Sequence, residues 1–73
     1  MIKGATINTD LLMEKIRESG LKIKYIAKRT GLSVQAFNPK VKGKRAFTQP
    51  EIVSLASTLN LSPGEVMQIF FNP

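Results

Sequence analysis

Three features of this 73-residue chain predict an all-α fold of five short helices. Apolar residues recur at helical spacing along the chain, beginning with Leu12 and Ile16 at i, i+4. Two segments, 48–51 and 62–65, carry capping-box signals with a proline in the first turn. Glycines at positions 20, 31 and 43 follow periodic segments and are expected to end three of the helices. A chain of this length forms one domain with a modest core.

The first helix is predicted to have Thr9 as its N-cap and to stop at Gly20, with Asp10 near the positive end of its dipole. Residues 1–8 have little periodicity, so we expect them to form a flexible N-terminal arm. The folded domain is therefore predicted to span residues 9–73.

The second helix is predicted over about residues 23–30, and the third from Val34, capped by Ser33, to about residue 42. Gly31 permits the tight turn between them. Inward positions are assigned to Ile23, Ile26, Ala27, Phe37 and Val41. Tyr25 is expected to be a partly buried packing residue rather than a phosphate donor.

Pro39 conflicts with a regular third helix. It has no amide to bond the carbonyl of Gln35, and its ring clashes there, at a cost of roughly 3 kcal/mol. It also disfavours α geometry at Asn38. We therefore expect the third helix either to break near Asn38 or to be kinked.

The end of the chain is predicted to carry two more helices. Their inner faces include Ile52, Leu55 and Leu59, and then Val66. The segment 69–71, Ile-Phe-Phe, cannot turn all three side chains towards one core at a period of 3.6 residues. One aromatic side chain is expected to be exposed, which suggests a partner or dimer surface, and the alternative is a wide apolar face fully used by a small core.

Basic residues are concentrated in one segment of the chain. Eight of the eleven lie in residues 22–45, where no acid occurs between positions 19 and 50: Lys22, Lys24, Lys28, Arg29, Lys40, Lys42, Lys44 and Arg45. The net charge is +6 and the isoelectric point is about 10.1. Small basic domains bind nucleic acid, anionic lipid or an acidic partner. Two basic helices joined by a short turn, as predicted on either side of Gly31, favour duplex DNA among these.

Composition argues against other classes. The chain has no cysteine and no histidine, and only five acids, so we expect no enzymatic activity, no metal site and no cofactor. Apolar runs are only a few residues long, and residues 1–9 have no apolar stretch of the kind found in signal peptides. We therefore expect no membrane span and a cytoplasmic location.

Residues 24–33 (KYIAKRTGLS), followed by Phe37 and by Gly43-Lys44-Arg45, resemble the phage Cro and repressor helix-turn-helix family. Segments 47–48, 51–52 and 69–71 are similar to its small prophage-encoded members, and the resemblance covers about residues 9–71. It implies a lambda-repressor-like domain that binds operator DNA and controls transcription as a repressor or related regulator. A homodimer on half-sites about one helical turn apart is the expected assembly.

The same resemblance supplies candidate DNA contacts. Base contacts are assigned to Val34, Gln35, Asn38 and Pro39, at the start and outer face of the third helix. Phosphate contacts are assigned to Lys22, Lys24, Lys42, Lys44 and Arg45. The alternative function is a protein-interaction module on the same fold that binds and modulates a repressor through the helix ending in Ile69, Phe70 and Phe71. The proline in the third helix favours that alternative.

Overall fold

Five α-helices and no strand are found in residues 7–71, the part of the chain that the computed structural model describes. The helices are α1 (Thr9–Ser19), α2 (Ile23–Arg29), α3 (Val34–Val41), α4 (Gln49–Leu59) and α5 (Pro63–Phe70). Helix α1 packs against α3, α4 and α5, and α2 packs against α3 and α4. The predicted all-α class with five helices is confirmed. Within residues 7–71, no helix has the length and apolar character needed to cross a bilayer.

Both predicted capping boxes are confirmed. In α4 the Thr48 hydroxyl accepts from the Glu51 amide and the Glu51 carboxylate accepts from the Thr48 amide, and Ser62 and Glu65 repeat this exchange in α5. The prediction of Thr9 as the N-cap of α1 was wrong by one residue. Asn8 is the cap, because its Oδ1 accepts from the Leu11 amide at 3.1 Å.

The boundary of the predicted N-terminal arm also moves. Residues 1–6 of that arm lie outside the described part of the chain. Ile7 packs against the core, and the Asn8 amide donates to the Ile69 carbonyl at 2.8 Å. Residues 7 and 8 therefore belong to the packed domain, since contact with α5 fixes them.

The turn between α2 and α3 depends on Gly31, whose φ of 82° lies in the left-handed region. The Leu32 amide then donates back to the Ala27 carbonyl at 2.9 Å, which closes the end of α2. Gly43, also at φ 82°, ends α3 in the same way, and the Lys44 amide donates to the Pro39 carbonyl at 2.9 Å. These two hydrogen bonds fix where α3 begins and ends relative to α2 and to the loop between α3 and α4.

Each helix contributes one large, fully buried side chain to a single core: Leu12, Ile26, Phe37, Leu55 and Ile69. Phe47, in the loop before α4, is a core residue that the sequence did not predict. Its ring packs edge-on to Phe37 at 6.1 Å and to Phe70 at 5.6 Å between centroids. The aromatic cluster ties the end of α5 to α3, so the packing of α3 does not depend on α2 alone.

Helix α3 continues through Pro39 and ends at Val41, so of the two predicted effects of the proline the break near Asn38 was wrong, and a kink stays a prediction. Phe37 and Val41 are buried on either side of the proline. Burial of two such side chains contributes about 3–6 kcal/mol, which is at least as large as the roughly 3 kcal/mol cost of an internal proline. Tertiary packing therefore maintains a helix that local propensity alone would end earlier.

Candidate nucleic-acid interface

The outer face of α3 presents a short row of polar side chains. Gln35, Asn38 and Lys42 are all exposed, and their i, i+3, i+7 spacing places them along one side of the helix. Val34 and Pro39 are only partly exposed, and Val34 packs against the core. Of the four predicted base-contacting residues, Gln35 and Asn38 are therefore the two with free amide groups on the helix surface.

All five residues assigned to phosphate contacts are exposed. Lys22 is the N-cap of α2 and Lys24 lies in its first turn, whereas Lys42 is the C-cap of α3. Lys44 and Arg45 lie in the loop between α3 and α4. The candidate cations thus occur at the start of α2 and around the end of α3.

Lys40 differs from the other cations of the basic segment. Its Nζ lies 2.6 Å from Oε1 of Glu51, and their side chains are only 13% and 15% exposed. Burial by itself would raise the pKa of the Glu51 carboxyl, but hydrogen bonds from Lys40 and from the Thr48 amide outweigh it and lower that pKa. Lys40 is therefore a structural cation that joins α3 to α4, and it adds little to a DNA-binding surface.

A second ion pair lies between α1 and α5. Lys15 Nζ is 2.6 Å from Glu65 Oε2, and it is also 3.7 Å from Glu18 on its own helix. The hydrogen bond between Lys15 and Glu65 lowers the pKa of the carboxyl and raises the pKa of the amine. Lys15 is thus a basic residue engaged with acids, unlike the exposed cations of the segment 22–45.

Several candidate residues meet around one apolar cleft of about 270 Å³. We define the apolar cleft by the residues that line it: Met13, Ile16, Arg17, Ile23, Asn38, Val41 and Lys42. Asn38 and Lys42 come from the outer row of α3, and Ile23 lies between Lys22 and Lys24 in the chain. The cleft therefore brings the start of α2 close to the C-terminal half of α3, with α1 as its third wall.

Sequence reasoning missed two exposed residues near these cations. Tyr25 is 49% exposed, so its assignment as a packing residue was wrong. Helical spacing places it on the side of α2 that carries Lys22 and Arg29, which was a usable signal for an outward position. Arg17 is exposed and lines the apolar cleft, but no local pattern connected α1 with α3.

The predicted partner surface at the end of α5 is smaller than expected. Ile69 and Phe70 are buried, so they are not available to a partner, which corrects that part of the prediction. Phe71 is 55% exposed, as expected for one of the two aromatic side chains in this segment. Met67, one helical turn earlier, is also exposed, and the two side chains are four residues apart.

Within residues 7–71, no group of three His, Cys, Asp or Glu side chains is arranged to hold a metal ion. No family model, curated protein or solved structure matches the chain.

Proposed function

We propose that this chain is a sequence-specific DNA-binding regulator of transcription, of the Cro-like type found in phages and prophages. In this proposal α2 and α3 form a lambda-repressor-like helix-turn-helix, and α3 lies in the major groove of operator DNA. The observation that supports it most is the exposed pair Gln35 and Asn38 on a helix that leads directly into three exposed cations, Lys42, Lys44 and Arg45.

The carboxamide side chains and the cationic side chains would have different roles in recognition. Carboxamides at Gln35 and Asn38 can each donate to and accept from the N7 and N6 edge of adenine, which distinguishes it from the other bases. Cations at both ends of the α2–α3 unit would bind phosphates, which fixes the register of α3 without adding sequence preference. Val34 and Pro39, being partly buried, would contribute apolar contacts at most, such as a thymine methyl.

A titration of the protein with two duplexes tests the proposal. One duplex holds the DNA upstream of the protein's own coding sequence, and the other has a random sequence of equal length. Affinity for both should fall as salt rises, but affinity for the upstream duplex should remain at least about a thousandfold higher. Equal affinity for the two duplexes at both salt concentrations would contradict sequence-specific binding.

The second candidate function is a protein-interaction module that binds and modulates a repressor. Exposed Met67 and Phe71 favour it, because they form an apolar stripe one turn long at the end of α5. Helix α3 does not break at Pro39, so one of the two effects of the proline that favoured this alternative is absent, the other being a kink. The same stripe would also serve a homodimer on two operator half-sites.

Sedimentation of the wild type and of Phe71→Ser separates these uses of the stripe. A homodimer that dissociates in the variant assigns Met67 and Phe71 to self-association and supports the operator-binding assembly. A monomer in both proteins, together with a stable complex with a second regulator that Phe71→Ser abolishes, would favour the interaction module. Val53→Ser is the control, because Val53 is also an exposed apolar residue but lies on α4.

A further inference from the structure

We infer that the apolar cleft is a docking site for an acidic segment of another protein, one that inserts a large apolar side chain between α1 and α3. The cleft has a volume of about 270 Å³ and is walled by Met13, Ile16, Ile23 and Val41. Asn38, Arg17 and Lys42 complete its lining. Such a partner would cover part of the surface that the proposed function assigns to DNA.

The size of the cleft suits a large apolar side chain. An apolar cavity of about 150 Å³ is sufficient for benzene. The apolar cleft thus has room for one aromatic ring with space for a second apolar group beside it.

The chemistry of the cleft differs from that of a phosphate site. A DNA backbone presents charged oxygens and sugars, so it gains little from an apolar floor between α1 and α3. An apolar side chain gains about 25 cal/mol for each Å² removed from water, and this cleft has four apolar residues to cover it. The floor therefore favours a protein segment over nucleic acid as its occupant.

Charge decides which protein segment fits. Arg17 and Lys42 are exposed at the cleft, and within residues 7–71 neither forms an ion pair with a carboxylate. Lys22 and Lys24 flank Ile23, so two further exposed cations adjoin the same site. Two exposed acids of α1 are chain neighbours of lining residues, Glu14 next to Met13 and Glu18 next to Arg17, but neither lines the cleft. Glu18 lies 3.7 Å from Lys15. A second copy of this chain carries the same net charge of +6, so complementarity favours an acidic partner.

Occupation of the cleft would have a consequence for DNA binding. Asn38 and Lys42 line the cleft and also belong to the outer row of α3. A segment seated there would cover one candidate base contact and one candidate phosphate contact at once. The acidic partner would then act as an antagonist of DNA binding, and this consequence rests on the proposed function, whereas docking itself does not.

Amide and methyl NMR shifts of the full chain, titrated with three peptides, test the docking site. The first peptide has about twelve residues, with leucine and phenylalanine four positions apart among glutamates. The second keeps the leucine and phenylalanine but has glutamine for every glutamate, and the third keeps the glutamates but has alanine for both apolar residues. We expect saturable shifts at Met13, Ile16, Ile23 and Val41 with the first peptide, and at least tenfold weaker binding of the other two.

Matched variants locate the site. Met13→Gln should weaken the first peptide about five- to tenfold, whereas Met67→Gln, at a similarly exposed methionine on α5, should not. Arg17→Gln should weaken it about two- to fivefold, and Arg29→Gln, which removes the same charge from the end of α2, should have less effect. Equal losses for each variant and its control would overturn the assignment.

Three other results would also overturn docking. The charge-only peptide could bind as well as the first peptide, which would indicate general attraction to a basic protein. The first peptide could leave the methyl groups of the cleft unshifted at millimolar concentration. Vesicles of phosphatidylglycerol could shift those methyl groups while the peptides do not, which would assign the cleft to an anionic membrane surface.

A competition with duplex DNA separates this inference from the proposed function. If the first peptide binds the cleft and displaces a bound operator duplex, both are supported. Peptide binding at the cleft in a protein that binds no DNA would support docking and contradict the proposed function. Specific DNA binding without peptide binding would support the proposed function and contradict docking.

Discussion

Lys40 on α3 and Glu51 in the first turn of α4 form a largely buried ion pair, with Nζ and Oε1 only 2.6 Å apart. The same Oε1 accepts from the Thr48 amide at 2.9 Å, so one carboxylate caps α4 and holds α3. The C-terminal half of α3, where Asn38 and Lys42 lie, is thereby fixed against the rest of the domain. The pair also explains why one of the eight cations in the segment 22–45 is unavailable to a ligand.

Replacement of Glu51 by glutamine should lower the free energy of unfolding by about 1–2 kcal/mol, because it removes the ion pair and weakens the cap. Urea unfolding of the two proteins measures this. Glu14→Gln, at an exposed position on α1, is the control and should change stability by less than about 0.5 kcal/mol. Identical unfolding curves for Glu51→Gln and the wild type would show that the pair contributes nothing.

The stability difference between wild type and Glu51→Gln should also depend on pH. The folded-state pKa of Glu51 is lowered, so it lies below the unfolded value of about 4.3. Its contribution is therefore complete above that unfolded value and is lost as the pH falls through the folded pKa. The difference should be constant from neutral pH to about pH 5 and shrink in stronger acid. A difference that grows on acidification would contradict this assignment.

Lys44→Ala should weaken binding to every duplex alike and lower the slope of log affinity against log salt by about one, because one phosphate contact is lost. Titrations at several salt concentrations give that slope. Lys15→Gln is the control, since it removes the same charge from a lysine that is paired with Glu65. If Lys44→Ala reduces operator binding but leaves random DNA unaffected, Lys44 has a role other than phosphate anchoring.

Gln35→Ala should cost about 1–3 kcal/mol of operator binding and relax the preference at one base pair. The reason is that its carboxamide is exposed at the second residue of α3, where a base edge would meet it. Affinities for single-base operator variants measure the change. Gln68→Ala is a matched control, because Gln68 is also an exposed glutamine on a helix but lies on α5. Unaltered discrimination in Gln35→Ala would remove that residue from the interface.

Pro39→Ala should raise the free energy of unfolding by about 1–2 kcal/mol in an otherwise continuous helix. The reason is that the new backbone amide can donate a hydrogen bond to the Gln35 carbonyl. Thermal unfolding measures the effect, and operator affinity should change with it because Asn38 and Lys42 flank this turn of α3. Pro63→Ala is the control. That proline is the first residue of α5, where a backbone amide would have no hydrogen-bond acceptor within the helix, so its replacement should not stabilise the protein. Failure of Pro39→Ala to stabilise would show that the proline is tolerated without strain.

Local signals in the sequence predicted most helix ends correctly. Thr48–Glu51 and Ser62–Glu65 could be recognised because a capping box is complete within four residues. Asn8 was missed because either it or Thr9 could cap α1, and a contact with Ile69 on α5 accompanies the actual choice. Helix α3 continues through Pro39 because Phe37 and Val41 are buried in the core, and local helix propensity does not include such tertiary packing.

The site was predictable where it depends on one helix and unpredictable where it depends on several. The resemblance to the helix-turn-helix family assigned Gln35 and Asn38 to the outer face of the third helix, and both side chains are exposed on α3. The pairing of Lys40 with Glu51 joins two helices, so no pattern in the sequence could separate Lys40 from its neighbours. The apolar cleft likewise requires α1, α2 and α3 together, and only the folded chain reveals it.

Selection of bound sequences from a random duplex library tests sequence-specific recognition by α3 most directly. The wild-type protein should enrich a short motif, which Lys44→Ala should recover at lower total yield and Gln35→Ala should recover with one position relaxed. Recovery of the input sequence distribution by the wild-type protein, at low and at physiological salt, would contradict the claim that α3 contacts bases.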